Sequence, residues 1–244
     1  MKSLLISILF YTISVLAQND YPKIHVSENI ELVKISPNSL VHISYMESPQ
    51  YGRFPSNGLV LIDEKKAFLF DTPMTEELTK ELVTYLQDSM GIKIVGFVPN
   101  HWHADCMGGL EYLQTLGIES YANEMTIQIA KSKNLPLPVS GFKDSLLLKV
   151  GSKEIVCSYL GAGHSSDNII VWIPSEKILF GGCMVKALSA KGLGNTADAD
   201  LDIWPKTIQK VLDKYPDAKI VIPGHGEFGG VELLKHTIEI LTNK

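Results

Sequence analysis

Two histidines, an aspartate and a cysteine are crowded into the stretch PNHWHADCMGG, residues 99–109. In an extended segment His101 and His103 would point the same way, and Asp105 would continue that alternation. Imidazole, carboxylate and thiolate groups are the ligands with which proteins bind zinc. Asp105 could instead be the N-cap of a helix beginning near Cys106. The whole H-x-H-x-D cluster nevertheless favours a metal site.

Three further candidate ligands follow predicted strands elsewhere in the chain. His164 lies in GAGHSSDN, Cys183 in ILFGGCMVK and His225 in IVIPGHGE, each in a glycine-bearing turn. In layered α/β folds such turns collect along one edge of a sheet, where sites are built. Six ligands are too many for one tetrahedral zinc. Two sites with three protein ligands each would leave positions open for water, as in catalytic zinc sites.

The elements that must position these residues are short strands alternating with amphipathic helices. Strands are predicted at 30–35, 40–45, 59–62, 67–70, 92–98, 145–150, 155–159, 169–173, 178–180 and 219–222, with a short one near Ser120. Helices are predicted at 75–89, from Cys106 to Leu116, at 125–133, at 206–214 after Pro205, and at 231–241. This order indicates two sheets packed together with helices outside.

Composition and charge narrow the function classes. The 244 residues suffice for one large α/β domain or two small ones. Lys and Arg total 22 against 27 Asp and Glu, a net charge of -5 without a basic cluster, which argues against a nucleic-acid surface. No G-x-S-x-G nucleophile elbow and no Walker motif occurs.

The N-terminal residues resemble a secretory signal. Lys2 precedes an apolar run at 4–16, and Val15 and Ala17 form a V-x-A cleavage site, so a cleaved signal peptide is expected at 1–17. An N-terminal anchor helix is the alternative. Export with an odd number of cysteines argues against disulfide stapling, and Cys157 is expected to be a buried apolar residue.

The motifs HWHAD, GGCMVK, GLGNTADADL and PGHG, in this order, resemble class B β-lactamases of the first, di-zinc subclass within the metallo-β-lactamase superfamily. Other hydrolases of that superfamily carry His and Asp where this chain has Cys106 and Cys183. The resemblance covers essentially the whole mature chain, 18–244. It implies a single domain with an α+β, four-layer αββα sandwich, in which two mixed β-sheets pack together with helices on the outer faces.

The resemblance also implies a role for each motif residue. One of two zinc ions per chain would bind His101, His103 and His164, and the other would bind Asp105, Cys183 and His225. Asp105 would orient the attacking hydroxide and Asn195 would polarise the lactam carbonyl. Lys186 would bind the substrate carboxylate with Asn195 beside it. From the residues alone, Lys186 could be a solvated surface charge and Asn195 a turn residue.

Two features stay open at this point. Residues 46–58, with Tyr51 and Phe54, match a mobile flap over the site, although their prolines and glycines also fit an ordinary hairpin loop. Many members of the family carry Arg where this chain has Cys106. The thiol is either a neighbour of the ligands or a point of oxidation.

The implied function is zinc-dependent hydrolysis of the amide bond of penicillins, cephalosporins and carbapenems by a metal-bound hydroxide, which confers antibiotic resistance. The expected protein is a periplasmic monomer whose partner is a small β-lactam, with no nucleic acid and no membrane contact after signal cleavage. The alternatives are a zinc hydrolase of lactones or thioesters and a non-catalytic zinc-storage protein.

Overall fold

Two β-sheets form the centre of the fold. The computed structural model describes residues 21–50 and 52–243, so the predicted signal peptide at 1–17 and Tyr51 lie outside the described residues. Within them the strands form one eight-stranded and one five-stranded sheet. No helix in this part of the chain is long and apolar enough to cross a membrane.

The eight-stranded sheet contains the first eight strands side by side in chain order. The pairs from β1 to β5 are antiparallel, and those from β5 to β8 are parallel. The strands are β1 (Lys23–Ser27), β2 (Ile30–Lys34), β3 (Ser39–Ser48), β4 (Gly52–Asp63), β5 (Lys66–Phe70), β6 (Lys93–Val98), β7 (Glu119–Asn123) and β8 (Ser140–Phe142).

The second sheet has the order β13-β12-β11-β10-β9 and is also mixed, since only β12 and β13 are parallel. Its strands are β9 (Ser145–Val150), β10 (Lys153–Ser158), β11 (Ile170–Ile173), β12 (Ile178–Gly182) and β13 (Ile220–Pro223). The helices are α1 (Glu76–Thr84), which continues into a π-helical turn (Tyr85–Ser89), α2 (Ala104–Met107), α3 (Leu110–Thr115), α4 (Glu124–Ser132), α5 (Trp204–Lys214) and α6 (Glu232–Thr242).

Three apolar clusters separate four layers. Leu82 of α1 packs with the outer face of the first sheet. Phe70 and Phe180 belong to the core between the two sheets. Trp204 of α5 and Leu234 of α6 pack on the outer face of the second sheet. Each such side chain contributes roughly 1.5–3 kcal/mol by leaving water. The predicted αββα sandwich of two mixed sheets is confirmed.

The β3–β4 hairpin is longer than the sequence indicated. Its pairing runs from Ser39 opposite Leu61 to Ser48 opposite Gly52, so most of the predicted flap belongs to strands. Pro55 is accommodated because β5 pairs only with the end of β4 that begins at Leu59, and this stretch has a single neighbouring strand. The interpretation of residues 46–58 as an ordinary hairpin loop was therefore wrong, and their role as a flap over the site stays a prediction.

The helix predicted from Cys106 to Leu116 is divided into α2 and α3 at Gly108 and Gly109. A Cβ atom on Gly109 would lie 2.0 Å from Oγ1 of Thr79, and one on Gly108 would lie 2.1 Å from the carbonyl oxygen of Met74. The two glycines thus allow the segment to approach α1 and the loop before it. This close packing fixes the segment that directly follows the H-x-H-x-D motif.

Candidate metal centre

All six predicted ligands follow strands, as the sequence indicated, and they meet at one edge of the sandwich. His101, His103 and Asp105 follow β6, and His164 lies in the loop after β10. The remaining two, Cys183 and His225, follow the parallel strands β12 and β13 directly.

The local structure at Asp105 differs from both sequence interpretations. Asp105 lies in the first turn of α2, whose N-cap residue is His103. The helix begins there because the N–H groups of Cys106 and Met107 both donate to the His103 carbonyl, each at 3.0 Å. Asp105 therefore neither continues an extended segment nor acts as the N-cap.

The three histidines form one compact triangle. His101 Nε2 lies 2.9 Å from His103 Nδ1, which lies 3.2 Å from His164 Nε2. A tetrahedral zinc with Zn–N bonds of about 2.0–2.1 Å holds neighbouring nitrogens about 3.3 Å apart. The donor atoms thus already have the separations that a shared zinc ion requires.

Asp105, Cys183 and His225 form a second triangle. Cys183 Sγ lies 3.2 Å from Asp105 Oδ2 and 3.4 Å from His225 Nε2, and the last two atoms are 3.2 Å apart. One thiolate, one carboxylate and one imidazole are a donor set that suits zinc better than Mg²⁺ or Ca²⁺. The residues present therefore fit two metal sites.

Burial and neighbouring charges give the donors the protonation states that metal binding needs. Burial lowers the pKa of His101 well below its ordinary value and that of His164 to about 3, so both rings are neutral. Burial alone would raise the pKa of Asp105, but the hydrogen bond from His225 holds it well below its usual range. The pKa of Cys183 is lowered to about 6, first because Cys106 donates a hydrogen bond to its sulfur.

Cys106 is in direct contact with one of the proposed metal ligands. Its sulfur lies 3.1 Å from His101 Nδ1, and donor atoms of His101, Asp105, Cys106 and Cys183 all lie within 4.8 Å of one another. The side chain is fully buried, and burial raises the pKa of its thiol well above the ordinary value. Cys106 thus stays protonated and stabilises the neighbouring Cys183 thiolate.

Several orienting contacts could not be inferred from the sequence. Asp198 Oδ2 lies 3.0 Å from His103 Nε2, and the Pro55 carbonyl lies 2.7 Å from His225 Nδ1. Asn57 Nδ2 donates to the carbonyls of Pro223 and Gly226, which flank the loop of His225. Such partners fix the orientation of metal-binding imidazoles. The only signals were the Asp-rich TADAD stretch and the PSNG stretch, which also fit turns.

Four of the six donor residues, His103, Asp105, His164 and His225, line a cavity of about 710 Å³. Phe54, Trp102 and Leu193 give it apolar walls, and Lys186 and Asn195 lie on its lining, as expected. Lys186 is only 9% exposed, so the alternative of a solvated surface charge was wrong. Asn195 Oδ1 accepts a hydrogen bond from the Ala197 N–H at 3.1 Å, which is turn chemistry, but the residue also faces the cavity.

The other three histidines of the sequence lie outside the two donor triangles. His42 is buried with its Nε2 3.1 Å from the Asp71 carbonyl, and His236 Nε2 lies 3.0 Å from the Ala190 carbonyl. His25 is exposed on β1. Cys157 is fully buried, as predicted, and all three described cysteines are free.

Comparison with known proteins gives one consistent picture. A family model described as the metallo-beta-lactamase superfamily matches residues 51–225. The chain is 47% identical, over 98% of its length and 94% of the relative, to metallo-beta-lactamase type 2 of Bacteroides fragilis. It is 39% identical to the Bacillus cereus protein of the same name, over 77% of this chain and 73% of that one.

Solved structures agree with this fold. A metallo-beta-lactamase from Pontibacter korlensis superposes with a TM-score of 0.85 and 39% identity, and the alignment covers 88% of this chain and all of that one. The four layers, the ligand-bearing strand ends and the matched sequence lead to the same conclusion. The chain belongs to the metallo-β-lactamase superfamily.

Proposed function

We propose that this protein is a zinc-dependent β-lactamase that hydrolyses the amide bond of penicillins, cephalosporins and carbapenems and so confers antibiotic resistance. The observation that carries the proposal is the pair of donor triangles, each of which contributes two residues to the lining of one cavity that Lys186 and Asn195 also line. The relatives with up to 47% identity are named metallo-beta-lactamases, which supports the same substrate class.

His101, His103 and His164 would hold one zinc ion, and Asp105, Cys183 and His225 the other. When bound, zinc supplies Lewis-acid polarisation and makes water a nucleophile at neutral pH. Asp105 stays ionised, so its carboxylate can accept a hydrogen bond from the attacking water and orient it. The Asn195 amide would donate to the lactam carbonyl, where negative charge develops. The apolar wall formed by Phe54, Trp102 and Leu193 would exclude bulk water from the bound ring.

Removal of the metal should abolish the activity. We expect purified protein to hydrolyse a carbapenem and nitrocefin, a chelator to lower the rate at least about 100-fold, and added Zn²⁺ to restore it. Metal-stripped protein that still opens the lactam at full rate would contradict the proposal. Zinc binding without lactam turnover would point to storage, and turnover of lactones or thioesters alone would point to the other hydrolase class.

Lys186 should bind the carboxylate of the substrate. Burial lowers the pKa of its ammonium group, and the neighbouring Cys183 and Asp105 offset part of this shift. We expect Lys186→Ala to raise KM about 10-fold or more with little change in kcat, because the contact serves substrate and transition state alike. Steady-state kinetics measure this, with Lys235→Ala, at an exposed lysine of α6, as the control. An unchanged KM with a collapsed kcat would refute the assignment.

We also propose that residues 1–17 are removed on export and that 18–244 act as one periplasmic domain and a monomer, without nucleic-acid or membrane partners. Support comes from Lys2, the apolar run behind it and the net charge of -5. N-terminal sequencing of the exported protein tests the cleavage site.

A further inference from the structure

A buried carboxylate outside both donor triangles joins the segments that carry the three histidines. Asp167 is 0% exposed. Its Oδ2 accepts hydrogen bonds from the Trp102 N–H at 3.0 Å and from Thr126 Oγ1 at 2.8 Å, and its Oδ1 accepts one from Ser165 Oγ. Three donors thus converge on this carboxylate from three different parts of the chain.

Two of these three donors are chain neighbours of the metal-binding histidines. Trp102 lies between His101 and His103, and Ser165 directly follows His164. The backbone that carries two corners of the histidine triangle is therefore linked to the loop that carries the third corner, 61 residues away in sequence. The third donor, Thr126, belongs to α4 and not to a loop that carries a metal-binding histidine. Its hydrogen bond therefore holds the Asp167 carboxylate in place without linking the two loops.

The three hydrogen bonds that Asp167 accepts favour its ionised form. Burial raises the pKa of its carboxyl group above the ordinary value, and the hydrogen bonds from Ser165 and Thr126 offset part of this rise. A buried carboxylate is tolerated only where several donors satisfy it. Charge-assisted hydrogen bonds are also shorter and stronger than neutral ones, so they hold the two loops at a narrower range of separations than a neutral contact would.

The neighbouring asparagines make the contact between the loops but do not replace Asp167. Asn168 Oδ1 accepts from the Ser165 N–H at 2.7 Å, and its Nδ2 donates to Asn100 Oδ1 at 3.5 Å. Asn100 Oδ1 also lies 3.2 Å from His101 Nδ1. Asn100 exchanges hydrogen bonds with Ile169 on the side of β11, before the histidines begin. The asparagine contacts reach the ring of His101 alone, whereas Asp167 binds the backbone of Trp102, between His101 and His103.

We propose that Asp167 is a positioning residue that sets the separation of His101 and His103 from His164 and so controls the affinity and geometry of the three-histidine zinc site. This inference rests on the proposed function, since it assigns that site its metal. Partners behind the ligands typically change metal affinity 10- to 100-fold when they are removed. The Asp105–Cys183–His225 triangle has no contact with Asp167 among the hydrogen bonds described, and it should be spared.

The test is a Co²⁺ titration of the metal-depleted protein, followed by visible ligand-field bands and by the near-ultraviolet charge-transfer band of the Cys183 thiolate. For Asp167→Ala we expect binding about 10- to 100-fold weaker at the three-histidine site, with the thiolate band unchanged. Asp167→Asn should recover part of the affinity. Its amide can donate to Ser165 Oγ while its oxygen still accepts from the Trp102 N–H.

Thr126→Val is the matched control, because it removes a hydrogen bond to the same carboxylate oxygen but keeps both links to the histidine loops. It should lower the urea midpoint without changing either Co²⁺ site. Ser165→Ala removes only the link to the His164 loop and should weaken the three-histidine site, so it decides the question if Asp167→Ala does not fold.

Three results would overturn the proposal. In the first, Asp167→Ala weakens Co²⁺ binding equally at both sites. In the second, Thr126→Val and Ser165→Ala give identical Co²⁺ titration curves, and in the third no variant changes Co²⁺ binding. Lactam hydrolysis by the wild type is measured in parallel. Absence of hydrolysis with a selective Co²⁺ effect would contradict the proposed function and leave the positioning role standing.

Discussion

Cys183→Ser is expected to lower the zinc content from two ions to one per chain and to reduce kcat for β-lactams at least about 100-fold. The Cys183 thiol, with its pKa lowered to about 6, is an anion at neutral pH, whereas a serine hydroxyl is not. The second triangle would keep only Asp105 and His225, and Cys183 contacts both of them now. A loss of about 3 kcal/mol of charge stabilisation corresponds to this fall in rate.

Elemental analysis and steady-state kinetics check this expectation, with Cys157→Ser as the matched control. Cys157 is equally buried, and burial raises its pKa to about 12, so its thiol stays protonated and is not a metal ligand in our assignment. The control should lose stability but keep both zinc ions and its kcat. Two zinc ions and full activity in Cys183→Ser would mean that the ligand assignment is wrong.

The sequence predicted the layers of the fold because they depend on local periodicity. The strand before the H-x-H-x-D motif was predicted at 92–98 and observed as β6, and Pro205 marks the start of α5 as predicted. The β3–β4 hairpin and the division between α2 and α3 were missed. Both depend on tertiary packing: a strand stretch with one neighbour tolerates Pro55, and α1 requires glycine at position 109.

The candidate site likewise contains residues that the sequence predicted and residues that it did not. Its six donors could be identified because each follows a strand and has a side chain suited to zinc. Their supporting partners carried no such signal, since Asp198 is 95 residues from the histidine that it contacts, and Asp167 follows two serines in an ordinary polar loop. Cys106 was noticed in the sequence, but its contact with His101 Nδ1 follows only from the start of α2 at Ala104.

Acid should destabilise the protein through His42, which lies outside the metal centre. The side chain is 1% exposed, its Nε2 contacts the Asp71 carbonyl, and among the described residues its Nδ1 has no hydrogen-bond partner. Burial lowers the pKa of His42 from 6.5 to about 4. Between these values the unfolded chain binds a proton at this ring and the folded chain does not. The free energy of unfolding should therefore fall by about 3 kcal/mol as the pH drops from 6.5 to 4.

His42→Gln isolates this contribution, since its side-chain amide can still donate to the Asp71 carbonyl but does not titrate. Burial raises the pKa of the Asp71 carboxyl, so this group makes the folded state more stable as the pH falls, opposite to His42. The wild type and the variant share this effect, and they share the loss of zinc in acid. In urea unfolding of the zinc-loaded proteins, the stability advantage of the wild type should be constant above pH 6.5 and shrink by about 3 kcal/mol by pH 4. Parallel curves for the two proteins across this range would show that His42 is protonated in the folded state as readily as in the unfolded chain.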